Sequence, residues 1–217
     1  MNKNFYYIWG IQRSGTNFLE RLLELNYNAF KRNAGVSAWK HSINDPVDGW
    51  NKQLPNFVIY KNPYTWVESI ATRSTVDYVR TQTLYSPKED ISEDLQLGSK
   101  KLNIVNLAKT YKHFHLNWLD RDDLKLGMEI KYEDLLVDEI RYKILLDIST
   151  RMSFSKPHRD KFRIPTPGSV TSSKDYTEER EEYYKSGRPS VLTQKQIDAV
   201  TDTVGVELIT KMGYEVL

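Results

Sequence analysis

The sequence predicts an α/β protein with a P-loop-like, mostly parallel sheet and helices on both faces. Two observations carry this. Short aromatic and β-branched runs alternate along the chain with stretches of helical periodicity, the pattern of strands joined by crossover helices. The first of these runs ends in "GIQRSGTNF", Gly10 to Phe18, a glycine-bounded loop that opens a helical stretch. A chain of 217 residues suits one domain, 1–217, with a core of its own.

The elements follow in order. "NFYYIWG" (Asn4 to Gly10) reads as a buried strand ending in Gly. "TNFLERLLELNY" follows as a helix, with Phe18, Leu19, Leu22, Leu23 and Leu25 at helical spacing. "GVSAWKH" (Gly35 to His41) reads as a second strand and "NFVIYK" (Asn56 to Lys61) as a third. "NPYTWVESIATR" starts a helix, with Asn62 as N-cap and Pro63 at the first helical position. A longer helix covers Lys101 to Leu119 and places Ile104, Ala108, Tyr111, His115 and Trp118 on one stripe. "LKLGMEIKYEDLL" reads as a fourth strand running into a helix near Tyr132, and a last helix spans Thr193 to Met212 with Ile197, Val200, Val204 and Leu208 inward. The segment 151–175 is rich in Lys and Arg and punctuated by Pro165, Pro167 and Gly168, so it reads as a basic loop or lid.

Composition narrows the function. Hydrophobic residues make up 39% and charged residues 28%, as in a globular soluble protein. A net charge of +2 does not suggest a nucleic-acid partner. With no cysteine, disulfides, a Cys-ligated zinc and a thiol nucleophile are excluded. No apolar run approaches the ~18 residues of a membrane span. The N-terminus enters a strand at once and lacks the small-residue cleavage site of a signal peptide, so a cytoplasmic location is expected. Oligomeric state leaves no signal.

The loop has the Gly10 to Gly15 spacing of a P-loop, followed by Thr16, but no lysine between them; the basic residue is Arg13. Backbone amides and the hydroxyls of Ser14 and Thr16, with a helix N-terminus behind them, make an anion site. A nucleoside triphosphatase uses the loop lysine on its β- and γ-phosphates, so moving the cation to Arg13 suits a ligand without a γ-phosphate. In the second piece, Lys61 closes a strand and Ser69 lies eight residues on, within the next helix. A strand-end cation and a serine in the first turns can hold a second phosphate; the plain alternative is a surface lysine before a capped helix. Gly10, His41 and Lys61 all fall at strand ends, which in a parallel sheet is where ligands bind. His41, in "AWKHS", is the candidate base, with Glu20, Asp45 and Glu68 as substitutes. "HFH" puts His113 and His115 on different helix faces, with His115 packed and His113 exposed, and no other cluster has ligand spacing, so no metal is expected.

Together "RSGTNF" and "KNPYTWVES" resemble the PAPS-dependent sulfotransferase family, small microbial- or viral-type members included. "KYEDLL" (Lys131 to Leu136) and "MGYEVL" resemble further blocks of that family. The resemblance implies that Arg13, Ser14, Gly15, Thr16 and Asn17 hold the 5′-phosphosulfate of PAPS, and that Lys61 and Ser69 hold its 3′-phosphate. It implies transfer of a sulfuryl group to an acceptor hydroxyl or amine. His41 would deprotonate the acceptor, and Arg13, assisted by Lys40, would stabilise charge on the bridging oxygen. The chain departs from the family at three places. Lys61 stands for an arginine, Arg13 for the common lysine, and no "RKG" is found; Arg159, Lys161, Arg163 or Lys174 are the candidates to replace it. The alternatives are a P-loop nucleotide kinase or NTPase, and a nucleotide-binding module without turnover. The acceptor stays open among small phenols, glycans, lipids and peptide tyrosines.

Overall fold

The computed structural model describes residues 4–27, 29–32, 41, 43, 50–73, 92–98, 101–124, 127–152, 154, 162–165, 182–183 and 185–217. Its centre is a four-stranded sheet, all parallel, in the order β2-β1-β3-β6. The strands are β1 (Asn4–Trp9), β2 (Ala29–Lys31), β3 (Asn56–Tyr60) and β6 (Gly127–Lys131). Being parallel, they all end at one edge.

Strand alternation divides the core in two. Tyr7, Trp9, Val58 and Tyr60 face one cluster, built with α2 (Pro63–Arg73), α3 (Ile104–Trp118), α5 (Gln194–Val204) and α6 (Val206–Lys211). Tyr6, Ile8, Phe57, Ile59 and Ile130 face the other, built with α1 (Thr16–Tyr27) and α4 (Asp138–Arg151). Helices therefore cover both faces. This is why "NFVIY" is apolar at successive positions, and every residue of β3 is buried. Trp9 stacks on Trp118 at 4.4 Å, and its indole N–H donates to Asn56 Oδ1 at 2.8 Å. A buried tryptophan needs such an acceptor, and Asn56 also takes the Trp50 N–H at 3.0 Å.

Local chemistry sets the helix ends. Asn62 Oδ1 accepts from the backbone of Tyr64 and Thr65, capping α2 as the Asn-Pro pair predicts. Asn103 caps α3 through Asn106 N, so that helix begins three residues later than its periodicity suggests. Leu102–Asn103 instead form β5, paired antiparallel with β4 (Gln96–Leu97). The expected helix near Tyr132 is a 3₁₀ turn, Glu133–Leu136, and α4 starts at Asp138. The last helix is two helices, because Gly205 adopts φ 95 between α5 and α6. A capping box at Thr193 and Gln196 starts α5.

The expected strand at 35–41 lies outside the described residues except for His41, which sits in a turn. The strand that flanks β1 on the side away from β3 is β2, too short to read from sequence. Of the basic segment, Arg159, Lys161 and Lys174 lie outside the described residues. Arg163 is described, and its backbone N–H and C=O both bond to the Asn26 side chain, at 2.7 and 2.8 Å. That contact pins residues 162–165 to the end of α1. No helix among the described residues is long and apolar enough to cross a membrane.

Candidate functional site

The site forms where β1, β3 and β6 end. After β1 the chain passes through Gly10 into the loop. A Cβ on Gly10 would lie 2.6 Å from Ser14 Oγ and 2.7 Å from both Cγ2 and the carbonyl oxygen of Ile59, so only glycine lets the loop fold back on β3. Arg13 has φ 69 and Gly15 φ 95, two reversals that wrap the loop before Thr16 opens α1. A Cβ on Gly15 would lie 2.2 Å from the Tyr132 ring, which follows β6. Trp66 of α2 donates its indole N–H to Gln12 O at 2.6 Å. The loop is thus braced by residues of β3 and α2 and by the residue after β6.

The first-turn amides of α1 have no acceptor within their own helix and point toward the loop, giving a partial positive charge at this end. Ser14 is fully buried, and its Oγ has no hydrogen-bond partner. A buried hydroxyl without a partner is costly, and this one lies against Gly10. Thr16 is buried beside it; Asn17 is exposed.

The second phosphate motif meets the first. Arg13 Nε lies 3.5 Å from Ser69 Oγ, across 56 residues of sequence. Lys61 is enclosed, at 1% exposure, with its ammonium 5.9 Å from the centre of the Tyr132 ring. The sequence reads Lys61 as a strand-end cation open to a ligand. The structure covers it, because Tyr111 from α3 packs over the same strand end and its hydroxyl donates to Lys61 O at 2.5 Å. Glu133 accepts Asn62 N–H at 3.0 Å and the Tyr214 hydroxyl at 2.8 Å. Burial pushes the Glu133 carboxyl pKa up, against those two hydrogen bonds and the nearby Lys61 charge.

His41 arrives from outside the sheet. Its Nδ1 lies 2.5 Å from Gly10 O. A carbonyl only accepts, so Nδ1 carries the hydrogen, and in the neutral ring Nε2 is left with the lone pair. Gly10, His41 and Lys61 do converge on one edge of the sheet. Lys40 and Asp45 lie outside the described residues. Glu20 is held by Lys31 at 2.6 Å, and Glu68 accepts four hydrogen bonds, so neither carboxylate is poised as a substitute base. His115 is buried in α3, with Nδ1 2.6 Å from Tyr111 O, and burial pushes its pKa down to about 3. His113 is exposed. Among the described residues no group of three or more His, Asp or Glu is placed to hold a metal.

Sequence reasoning missed one cationic element. Residues Lys185, Ser186, Gly187 and Arg188 run past the N-cap of α2, where a Cβ on Gly187 would lie 3.3 Å from Asn62 Nδ2. With Asn62, Lys131, Glu133 and Tyr214 they line a cavity of about 230 Å³ at the N-terminal end of α2, which no residue of the 10–16 loop lines. "SGRP" carries a turn signal, but nothing local says where that turn docks. No family model, curated protein or solved structure matches this chain.

Proposed function

We propose that this protein is a PAPS-dependent sulfotransferase that moves a sulfuryl group to an acceptor hydroxyl or amine. The observation that carries the reading is the approach of Arg13 to Ser69, which unites the two motifs that resemble the family's 5′- and 3′-phosphate sites. The unpartnered Ser14 hydroxyl in a glycine-shaped loop supports an anion there. Ser14, Gly15, Thr16 and Asn17 would hold the 5′ end of the nucleotide. Ser69 would hold the 3′-phosphate, with the enclosed Lys61 adding its charge without direct contact; Lys185 and Arg188, the latter 3.9 Å from Glu215, are the candidates for the charge sought in a third motif.

Bound there, PAPS supplies the sulfuryl group. His41 takes the acceptor's proton at Nε2, because its Nδ1–H is already committed to Gly10 O. Arg13 presents its guanidinium to the oxygen that becomes negative as the acceptor attacks, and Ser69 steadies that side chain. The braces from Trp66 and Tyr132 hold the loop's amides in place before the ligand arrives, so little reorganisation accompanies the reaction.

Incubation with sulfur-labelled PAPS and a panel of phenol, glycan, lipid and peptide acceptors tests the assignment. Label should move to one class and PAP should be released in equal amount. Phosphoryl transfer or phosphate release from ATP with Mg²⁺, and no sulfuryl transfer from PAPS, would instead mark a P-loop kinase or NTPase; PAP binding without transfer would mark a binding module.

A further inference from the structure

The carboxylate of Glu68, one residue before Ser69, is engaged in a way the proposed reaction does not require. It is buried at 5% exposure on α2. Oε1 accepts the Tyr183 hydroxyl and the Ser190 hydroxyl, both at 2.8 Å; Oε2 accepts the backbone N–H of Ser190 at 2.8 Å and of Val191 at 3.0 Å. The donors flank residues 185–188 on both sides. One carboxylate therefore closes the base of a short loop in the broad sense, a helix end at Lys185 and Ser186 with the turn that follows, which carries Lys185 and Arg188, the latter 3.9 Å from Glu215. Within that loop, Ser186 Oγ donates to Tyr183 O at 2.8 Å, and Gly187, at φ 66, presses against Asn62. Glu68 and Ser69 are neighbours on one helix, so the fastening of the cationic loop and the contact to Arg13 share a rigid support.

We infer that Glu68 is a positioning residue: it fastens the Lys185–Arg188 loop against the N-terminus of α2 and so sets the affinity of the site for its anionic ligand, without touching that ligand. The inference rests on the nucleotide reading above, taking the ligand to be a 3′-phosphorylated nucleotide. The chemistry of the four donors makes a sharp comparison available. Two are hydroxyls, which can turn to accept; two are backbone N–H groups, which cannot. A glutamine at 68 can place its amide nitrogen toward the hydroxyls and its oxygen toward the N–H groups, which keeps the fastening. An alanine keeps none of it.

The test is calorimetric titration of PAP into wild type, Glu68→Ala, Glu68→Gln and Lys185→Ser/Arg188→Ser, with and without Glu68→Ala. Releasing two long cationic side chains from a held loop adds an ordering cost to binding, so Glu68→Ala should weaken PAP about tenfold. Glu68→Gln should recover most of that loss. In the Lys185→Ser/Arg188→Ser background, Glu68→Ala should add little, because the charges it positions are gone. An equal loss in both backgrounds would mean Glu68 serves stability alone, and no loss in either would overturn the inference outright. Trypsin separates this result from a failure of the nucleotide reading. Cleavage after Lys185 should accelerate in Glu68→Ala and not in Glu68→Gln, whether or not PAP binds. Unchanged cleavage in Glu68→Ala would show that the carboxylate does not hold the loop.

Discussion

Gly15→Ala isolates the feature on which the loop's shape depends. Two separate costs meet at this position. Gly15 has φ 95, where an L-residue is strained by about 1–2 kcal/mol. The added methyl would also sit 2.2 Å from the Tyr132 ring, and overpacking of that kind costs about 1–3 kcal/mol. Together they predict a loss of about 2–5 kcal/mol, or a fall in Tm of about 5–20 °C for a chain of this length. Thermal unfolding followed by calorimetry reads it. Tyr132→Ala tells the two costs apart. Removing the ring relieves the collision and not the backbone strain, so a double-mutant cycle should return a coupling of about 1–3 kcal/mol. A Gly15→Ala protein that melts with wild type, or a cycle that is simply additive, would refute the claim that loop and ring share this space.

Two further outcomes follow from histidines. His115 is buried neutral, with its pKa pushed down to about 3, whereas in the unfolded chain it titrates near the ordinary value of 6.5. The unfolded state therefore binds the proton first, so the contribution is complete above about pH 6.5 and is lost as pH falls toward 3, to a total of about 5 kcal/mol. Urea unfolding across that window should show the slope, and His115→Phe should remove it; an unchanged slope would place the acid sensitivity elsewhere. His41→Ala should lower the transfer rate by roughly 10²–10⁴-fold and abolish the acid limb of the pH–rate profile while PAP still binds. Near wild-type turnover would assign the base to another residue.

Much of this frame was legible in the sequence because it is local. "NFYYIWG" into "TNFLERLL" names a strand, a glycine turn and a helix without reference to any other part of the chain. Asn62-Pro63 fixes the start of α2, and the stripe from Ile104 to Trp118 fixes the buried side of α3, since capping and periodicity are properties of adjacent residues. What was not legible is long-range. β2 has three residues, too few for a period of two to register. Gly205 sits inside an unbroken helical pattern, and only its backbone angle reveals the break. The enclosure of Lys61 depends on Tyr111 and on the end of β6, and Glu68 finds its partners 115 to 123 residues away. No spacing rule reaches that far.

The central claim is that the loop after β1 and the start of α2 form one site for a nucleotide phosphorylated at both its 5′ and 3′ positions. The affinities of PAP and of 5′-AMP for the wild-type protein, measured by calorimetry without Mg²⁺, test it most directly. The two ligands differ only in the 3′-phosphate, and a hydrogen bond to a charged group of the kind Ser69 would make is worth about 1.5–3 kcal/mol. PAP should therefore bind at least about tenfold more tightly. Equal affinities, or preference for ATP once Mg²⁺ is added, would contradict the account.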